Sequence, residues 1–349
     1  MRKLTSKDVA KLAGCSQTTV SFVLNNKQDI SISDETRQKV LEAAKELNYV
    51  PNQFAKGLKT NKSNLIGLIV PNMINPYFPS IIQKFEEYAA TKGYNIITCN
   101  SHRQPERERI QHDLLIEKSV DGIIYTFTPQ HPENIQNLSG RTKLIVFGEF
   151  DPDCDLNMIC YDGYTEGQQL VEHLISLGHR KICYITPPFS KSFRSRERRL
   201  NGIIDKMKEY GCQDDLIVKI ASSNTHMSET PFEFEIGYNL TEEVLNKTKV
   251  TAIIGMNDMI ALGAMDYIFN NTKYSIPGDI SLCGFDDIYL GNMFHPKLTT
   301  VNHNLTAGCQ LTVDKLLDLI ENSHRQSQVI KIDYLSKIVV RDSVSEAKV

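Results

Sequence analysis

Apolar residues in the first 26 positions recur at helical spacing and are interrupted once. Val9, Leu12 and Ala13 fall on one face of a first helix, and Val20, Val23 and Leu24 on one face of a second. Thr5 and Asp8 form a T-x-x-D start signal: the hydroxyl can cap a free amide, and the acid sits in the first turn, where the helix dipole favours it. Gly14 supplies the left-handed residue that ends the first helix, and Ser16 restarts the second as its N-cap. Gln17, Thr18, Ser21 and Phe22 point outward, next to Lys11 and Lys27. This spacing fits a helix-turn-helix presenting short hydrogen-bonding side chains to a major groove, and it also fits a plain helical hairpin. Ser33 caps a third helix, in which Val40, Ala43, Ala44 and Leu47 would close a small three-helix core. In YVPNQFAKGLKT, Pro51 ends that helix, Asn52 is a good N-cap, and Phe54, Ala55 and Leu58 follow at helical spacing. A piece of about two turns does not persist alone in water, so it needs DNA or a second subunit as partner.

From Leu65 the rhythm changes to strands alternating with helices. LIGLIV reads as a buried parallel strand, followed by a helix over about 78–92, strand NIITC, a charged helix from near Glu106, and strands GIIYT and LIVFG. Near Tyr161 the pattern starts again, running through strands KICYI, LIVKI, TAIIG and ISLCG with helices between them. Two such series imply two doubly wound lobes, with ligands bound at the carboxyl ends of the strands in the crevice between them. No G-x-G-x-x-G or G-x-x-x-x-G-K-[ST] occurs, so no nucleotide cofactor is indicated.

Composition sharpens this picture in three places. A chain of 349 residues with 41% hydrophobic content suggests two or three folded units, and no run is long and apolar enough for a bilayer. The expectation is a soluble, cytoplasmic protein without a membrane partner. Eight cysteines without a C-x-x-C pair, and nine histidines without H-E-x-x-H, indicate reduced thiols and neither a disulfide frame nor a metal site. The charge is asymmetric: up to Lys62, eleven basic residues against six acids give +5, which leaves −8 of the total −3 for the remainder. A basic head on an acidic body suits phosphate contact by the head, although a solvated basic face would give the same count.

The head, KDVAKLAGCSQTTVSFVLN…S-x-x-T…LNYVPNQFAKGLKT, resembles the DNA-binding end of the lac-repressor/gal-repressor (LacI/GalR) family of transcriptional regulators. The resemblance implies an all-α helix-turn-helix head plus hinge helix, followed by an α/β body of two doubly wound parallel-sheet lobes similar to periplasmic sugar-binding proteins. The implied division is a head at 1–50, hinge helix and linker at 51–64, and an effector-binding and dimerisation body at 65–349. Within the body it implies one lobe of 65–161 plus a return segment near 295–325, and another of 162–294 plus 326–341. Gln17 and Thr18 match base-reading positions: Gln can grip an adenine with two hydrogen bonds, and Thr offers a hydroxyl or a methyl. Thr19 and Ser21 match phosphate-holding positions. Phe22 departs from the family's usual Arg or His and can touch a thymine methyl instead. Thr5, Ser16, Asn25, Asn52, Ala55 and Lys59 complete the implied DNA-contacting set. Paired Leu58 side chains of a dimer would wedge into a central minor-groove step; the alternative for Leu58 is a linker residue packed on the body.

Four strand ends carry candidate ligand contacts. Tyr77 and Phe78 in NPYF could stack on a ring or sugar face, and Phe78 could equally pack in the core. By resemblance, Arg199 in SFRSRERRLNG, Asn257 in GMND and Asp286 in GFDD grip ligand hydroxyls or a carboxylate, a use that suits a planar five-donor guanidinium. Gly148 stands where known members place an acidic contact, with Glu149 one residue later, so Glu149 swings in or the ligand differs there. Asp162 reads as a ligand contact or a helix N-cap. Arg194, Arg196 and Arg198 read as solvent or dimer-surface charges, although four clustered arginines keep a phosphorylated ligand in play. Asp258 reads as a helix N-terminal residue and Asp287 as solvated. No leucine heptads follow Arg341, so the expected state is a homodimer on a pseudo-palindromic operator. The function implied is transcriptional repression controlled by a small sugar or sugar phosphate. A solute-binding protein and a sugar-acting enzyme are the other classes, but no nucleophile elbow or metal triad supports the enzyme.

Overall fold

The computed structural model describes residues 4–24, 30–49, 62–130, 142–189, 194–222, 231–322 and 329–348. The chain divides into two compact units, Met1–Ser63 and Asn64–Val349.

In the first unit, α1 (Ser6–Ala13), α2 (Gln17–Leu24) and α3 (Asp34–Glu46) enclose Val9, Val20, Val23, Val40, Ala43 and Ala44. Gly14 takes the left-handed conformation (φ 64°) that ends α1, and Ser16 Oγ accepts from the Thr19 amide at 3.0 Å to start α2. Thr5 and Asp8 close a capping box at the start of α1, with the Asp8 carboxylate accepting the Thr5 amide and hydroxyl (both 2.8 Å). One local detail differs from the sequence reading. Leu12 is 47% exposed, because the buried stripe centres on Val9, Ala10 and Ala13 and turns Leu12 outward. Ser33 Oγ accepts from the Thr36 amide at 3.3 Å. Ser33→Ala is therefore expected to lower the stability of the head by about 1 kcal/mol. Circular dichroism melting of the head's transition checks this, and an unchanged melt would mean that water serves the Thr36 amide as well.

The second unit contains two six-stranded sheets. The first sheet, in spatial order, is Lys331–Asp333 (β11), Met158–Tyr161 (β5), Lys143–Glu149 (β4), Gly122–Tyr125 (β3), Leu65–Val70 (β1) and Asn95–Asn100 (β2). The second is Lys337–Val339 (β12), Thr299–Asn302 (β10), Ser281–Phe285 (β9), Ala252–Gly255 (β8), Ile182–Thr186 (β6) and Leu216–Ile220 (β7). All neighbours are parallel except β10 and β12. Buried on both faces, β3, β5, β6, β8 and β9 are continuously apolar or nearly so, as parallel strands covered by helices must be.

The covering helices are α4 (Tyr77–Thr91), α5 (Pro105–Glu117) and α10 (Leu305–Glu321) on the first sheet, and α6 (Gly163–Ser176), α7 (Arg194–Glu209), α8 (Phe232–Lys247) and α9 (Asp258–Asn271) on the second. The chain passes between lobes three times: from β5 to α6, from β10 to α10 and from β11 to β12. This corrects the expected lobe boundaries. Residues 299–302 pair with β9 (Val301 opposite Phe285) and so belong to the second lobe. Residues 331–333 pair with β5 (Ile332 opposite Ile159) and complete the first. Strands of three or four residues carry too little periodicity to be placed in one lobe or the other; backbone pairing decides their place.

Helices α6 and α7 approach at backbone distance. A Cβ on Gly202 would lie 2.0 Å from the Tyr164 carbonyl oxygen, and one on Gly167 2.5 Å from that of Arg199. Only glycine permits this approach, and it brings Glu166 of α6 against Arg199 of α7. No helix among the described residues is long and apolar enough to cross a membrane. All eight cysteines are unpaired, and no group of ligands suited to a metal ion occurs among the described residues.

Candidate functional site

On the first unit, α2 exposes Gln17, Thr18 and Ser21, half-buries Thr19 and Phe22, and buries Val20 and Val23 against the other helices. Thr5 and Ser16 are exposed at the starts of α1 and α2. Gln17 Nε2 donates to Ser6 Oγ (2.8 Å), and the Ser16 and Thr19 hydroxyls share a hydrogen bond (2.8 Å). These contacts hold the start of α2 as a polar ridge with donors and acceptors at its surface. Asn25, Asn52, Ala55, Leu58 and Lys59, and with them the expected hinge helix, lie outside the described residues.

On the second unit, a cleft of about 810 Å³, open mouth included, lies at the carboxyl ends of both sheets. Six of the seven residues expected at the ligand line it: Tyr77, Phe78, Glu149, Arg199, Asn257 and Asp286. The seventh, Asp162, does not. It starts α6, accepting from the Tyr164 amide (3.2 Å) and the Thr165 hydroxyl (2.8 Å), and pairs with Arg198 (2.8 Å). The N-cap alternative holds there because an unpaired amide at a helix start is the nearest donor.

Beneath the cleft runs a buried polar network. Arg199 reaches Glu166 at 3.2 Å and Glu149 at 3.5 Å, donates to the Met256 carbonyl at 2.7 Å, and lies 4.1 Å over the Phe285 ring. His303, in the crossover after β10, donates from Nδ1 to Glu166 (2.7 Å) and from Nε2 to Asp286 (3.1 Å). Two carboxylate partners, both acceptors, call for an imidazolium with both nitrogens protonated. Burial alone would lower the pKa of His303, but the Glu166 and Asp286 carboxylates push it up to about 9. Burial likewise raises Glu166, and His303 and Arg199 more than reverse this, holding its carboxyl below the usual range. Ser336, in the third crossover, also donates to Glu166. Tyr161 stacks on His303 (4.0 Å between centroids) and shares a hydroxyl hydrogen bond with Tyr77 (2.9 Å). The walls of the cleft are thus tied to the points where the chain changes lobe.

Several sequence readings change here. Arg196 is buried and lines the cleft, not the solvent surface. Arg103, Glu233 and Asn75 line it too, with Glu233 3.6 Å from Arg103 and accepting from Asn75 (2.8 Å). Two signals were available in the chain: Arg196 precedes Arg199 by three residues, hence one helical face, and Arg103 closely follows the end of β2. Asn257 is both cleft wall and N-cap of α9, its side chain accepting from the Ile260 amide (3.0 Å). Asp258 does stand at the start of α9, but it is fully buried, holding the Thr300 hydroxyl (2.6 Å) and the Ile288 amide (3.0 Å). Asp287 pairs with Arg341 and accepts from Asn302, so it is not simply solvated.

Comparison with known proteins extends these observations. Residues 63–338 match the model described as periplasmic binding proteins and sugar binding domain of LacI family, and residues 5–52 that of bacterial regulatory proteins, lacI family. The HTH-type transcriptional repressor PurR of Mannheimia succiniciproducens is 31% identical over 98% of this chain and 99% of its own length. That of Pasteurella multocida is 34% identical over 97% and 98%. Among solved structures, the lac repressor dimer bound to operator and the anti-inducer ONPF is similar with a TM-score of 0.79 at 26% identity, covering 99% of this chain and 100% of that one.

Proposed function

This chain belongs to the lacI family of bacterial regulatory proteins and is a DNA-binding transcriptional repressor rather than an enzyme; on that footing we propose that a small carbohydrate, a sugar or sugar phosphate, controls its grip on a pseudo-palindromic operator. On this reading the functional division is a reading head at 1–50, a hinge and linker segment at 51–64, and an effector-binding and dimerising body at 65–349. The observation that carries the reading is the cleft itself. Aromatic faces of Tyr77, Phe78 and Tyr161 stand beside the polar groups of Arg199, Asn257 and Asp286, which is what a ring with apolar C–H faces and a hydroxylated edge requires.

The mechanism follows from where the cleft sits. Its residues come from both lobes, so an effector favours one relative arrangement of the lobes, and in a dimer that arrangement sets the spacing of the two heads. The coupling is bounded by the effector's differential affinity for the two arrangements, about 1–3 kcal/mol in typical cases. Selection of duplexes from a random pool, repeated with a panel of sugars and sugar phosphates, tests the reading. One enriched palindrome whose affinity shifts with one member of the panel supports it; no enriched palindrome removes it.

At the DNA face, Gln17→Ala is expected to relax preference at one or two base pairs of each half-site while total affinity falls about tenfold, matching the ~1–3 kcal/mol of one bidentate base contact. A half-site substitution series checks this, and a uniform loss at all positions would assign Gln17 to the phosphates.

A further inference from the structure

We infer that Ser6 of α1 is a positioning residue for base reading: it holds the Gln17 side chain of α2 in the orientation that meets an adenine edge, so that a hydrogen-bonded pair drawn from two helices reads the base. The inference rests on the head reading DNA through Gln17, and it names what sets that residue's preference. Gln17 Nε2 donates to Ser6 Oγ at 2.8 Å, a contact that crosses between helices over 11 positions of sequence. Polar neighbours are engaged at their own helix starts instead. The Thr5 amide and hydroxyl both go to Asp8, and the Ser16 hydroxyl meets the Thr19 amide and hydroxyl. The frame beneath is closely packed. The amides of Gly14 and Cys15 both donate to the Ala10 carbonyl, and Val9, Ala10, Val20 and Val23 are buried together between the helices. Ser6 and Gln17, the first residues of α1 and α2, are therefore brought side by side at the surface by the turn and the core, before any DNA is bound.

The chemistry of a primary amide makes this contact useful. The group has one acceptor oxygen and two donor hydrogens. Gripping adenine takes the oxygen and one hydrogen, set against N6 and N7 of the base. The hydrogen on the same side of the C–N bond as Oε1 suits that pairing, because the two then point the same way. The other hydrogen is turned away from Oε1, and Ser6 can hold it without competing with the base. An exposed glutamine without such an anchor samples many rotamers and can swing to a neighbouring base or a phosphate. Holding it beforehand removes part of the ordering cost of binding and keeps the amide on one base pair.

The test uses the full-length protein and the palindromic duplex that the wild type enriches from a random pool, with each base pair of the half-site substituted in turn. Ser6→Ala is expected to weaken binding about two- to tenfold, the range for ordering one flexible side chain, and to flatten the same base-pair preferences as Gln17→Ala. Those base pairs should be A·T in the enriched duplex. In a Gln17→Ala background, adding Ser6→Ala should change affinity by less than about twofold, because the side chain it positions is gone. Ser6→Thr keeps the hydroxyl and should keep the preference. Should Ser6→Ala fail to fold, the isosteric pair Ser6→Thr and Ser6→Val makes the same comparison. A loss uniform over all base pairs, or one that adds in full to that of Gln17→Ala, would make Ser6 an independent phosphate contact and overturn the inference. A guanine preference at the responding positions overturns it as well. No enriched palindrome removes the proposed function and this inference with it, whereas an enriched palindrome whose preferences survive Ser6→Ala removes this inference alone.

Discussion

Replacing Arg199 by leucine is expected to lower the stability of the body by about 3–5 kcal/mol, the range for removing one partner of a buried ion pair. The guanidinium is 3% exposed and stands between Glu149 and Glu166, with Phe285 against its face and the Met256 carbonyl at one end. Leucine would fill part of the volume but leave two largely buried carboxylates without their guanidinium, and would strand an acceptor at Met256. The cost therefore comes from the groups left behind. Urea denaturation followed by circular dichroism checks the size. The double variant Arg199→Leu, Glu166→Gln should recover a substantial part of the loss, because glutamine removes one of the stranded charges. A single variant as stable as wild type would show that the network does not hold the lobes. Loss of effector response in an Arg199 variant would thus report on folding as well as on ligand contact, and the same holds for Asp286, which is a partner of His303.

Stability should also fall with rising pH over the window set by His303. Its pKa is about 9 in the fold against about 6.5 in an unfolded chain, so the protonated form is the one the fold favours. The contribution is fully present below about pH 6.5, declines as pH rises, and is lost above about pH 9. Two and a half pKa units correspond to roughly 3 kcal/mol. The groups facing the ring are Glu166 of α6, Asp286 after β9, the stacked Tyr161 of β5 and Tyr77 of α4 edge-on at 5.9 Å, with Ser336 and Arg199 behind Glu166. Glu108, which burial holds up to about 7, titrates at the lower edge of the same window. The informative quantity is therefore the difference between wild type and His303→Gln in urea at pH 6 and pH 9.5. The wild type should lose up to about 3 kcal/mol more than the variant over that interval. Equal losses would place the proton elsewhere.

The parts of this molecule that the chain announces are those governed by short-range rules. Gly14, Ser16 and Ser33 mark helix ends because a free amide or a left-handed residue has few solutions, and the structure uses all three. The alternation of LIGLIV, GIIY, ICYIT and SLCGF with amphipathic helices carries the doubly wound lobes for a similar reason: strands covered on both faces admit little else. What escaped notice depends on contacts made far along the chain. Arg198 and Asp287 look like ordinary surface charges until the fold pairs them with Asp162 and Arg341. Arg196 looked solvated because its neighbours in sequence are charged, whereas the fold buries it at the cleft, where it donates to the Pro188 carbonyl. His303 lacks any local signal: its role comes from Glu166, 137 positions away, and from Asp286.

The threefold crossing of the chain between lobes has a consequence for biosynthesis. The outer edge of β5 gains its partner only when β11 is made, about 170 residues after Tyr161. At about 5–20 residues per second, the growing polypeptide carries that bare edge for roughly 10–30 s after the rest of the sheet has left the ribosome. A message cut short anywhere in that interval yields an incomplete lobe with an open strand, the kind of surface that recruits chaperones or a second unfinished copy. Completion of the two-lobed unit is therefore an end-of-translation event, whereas the helical unit before it is complete within the first sixth or so of synthesis.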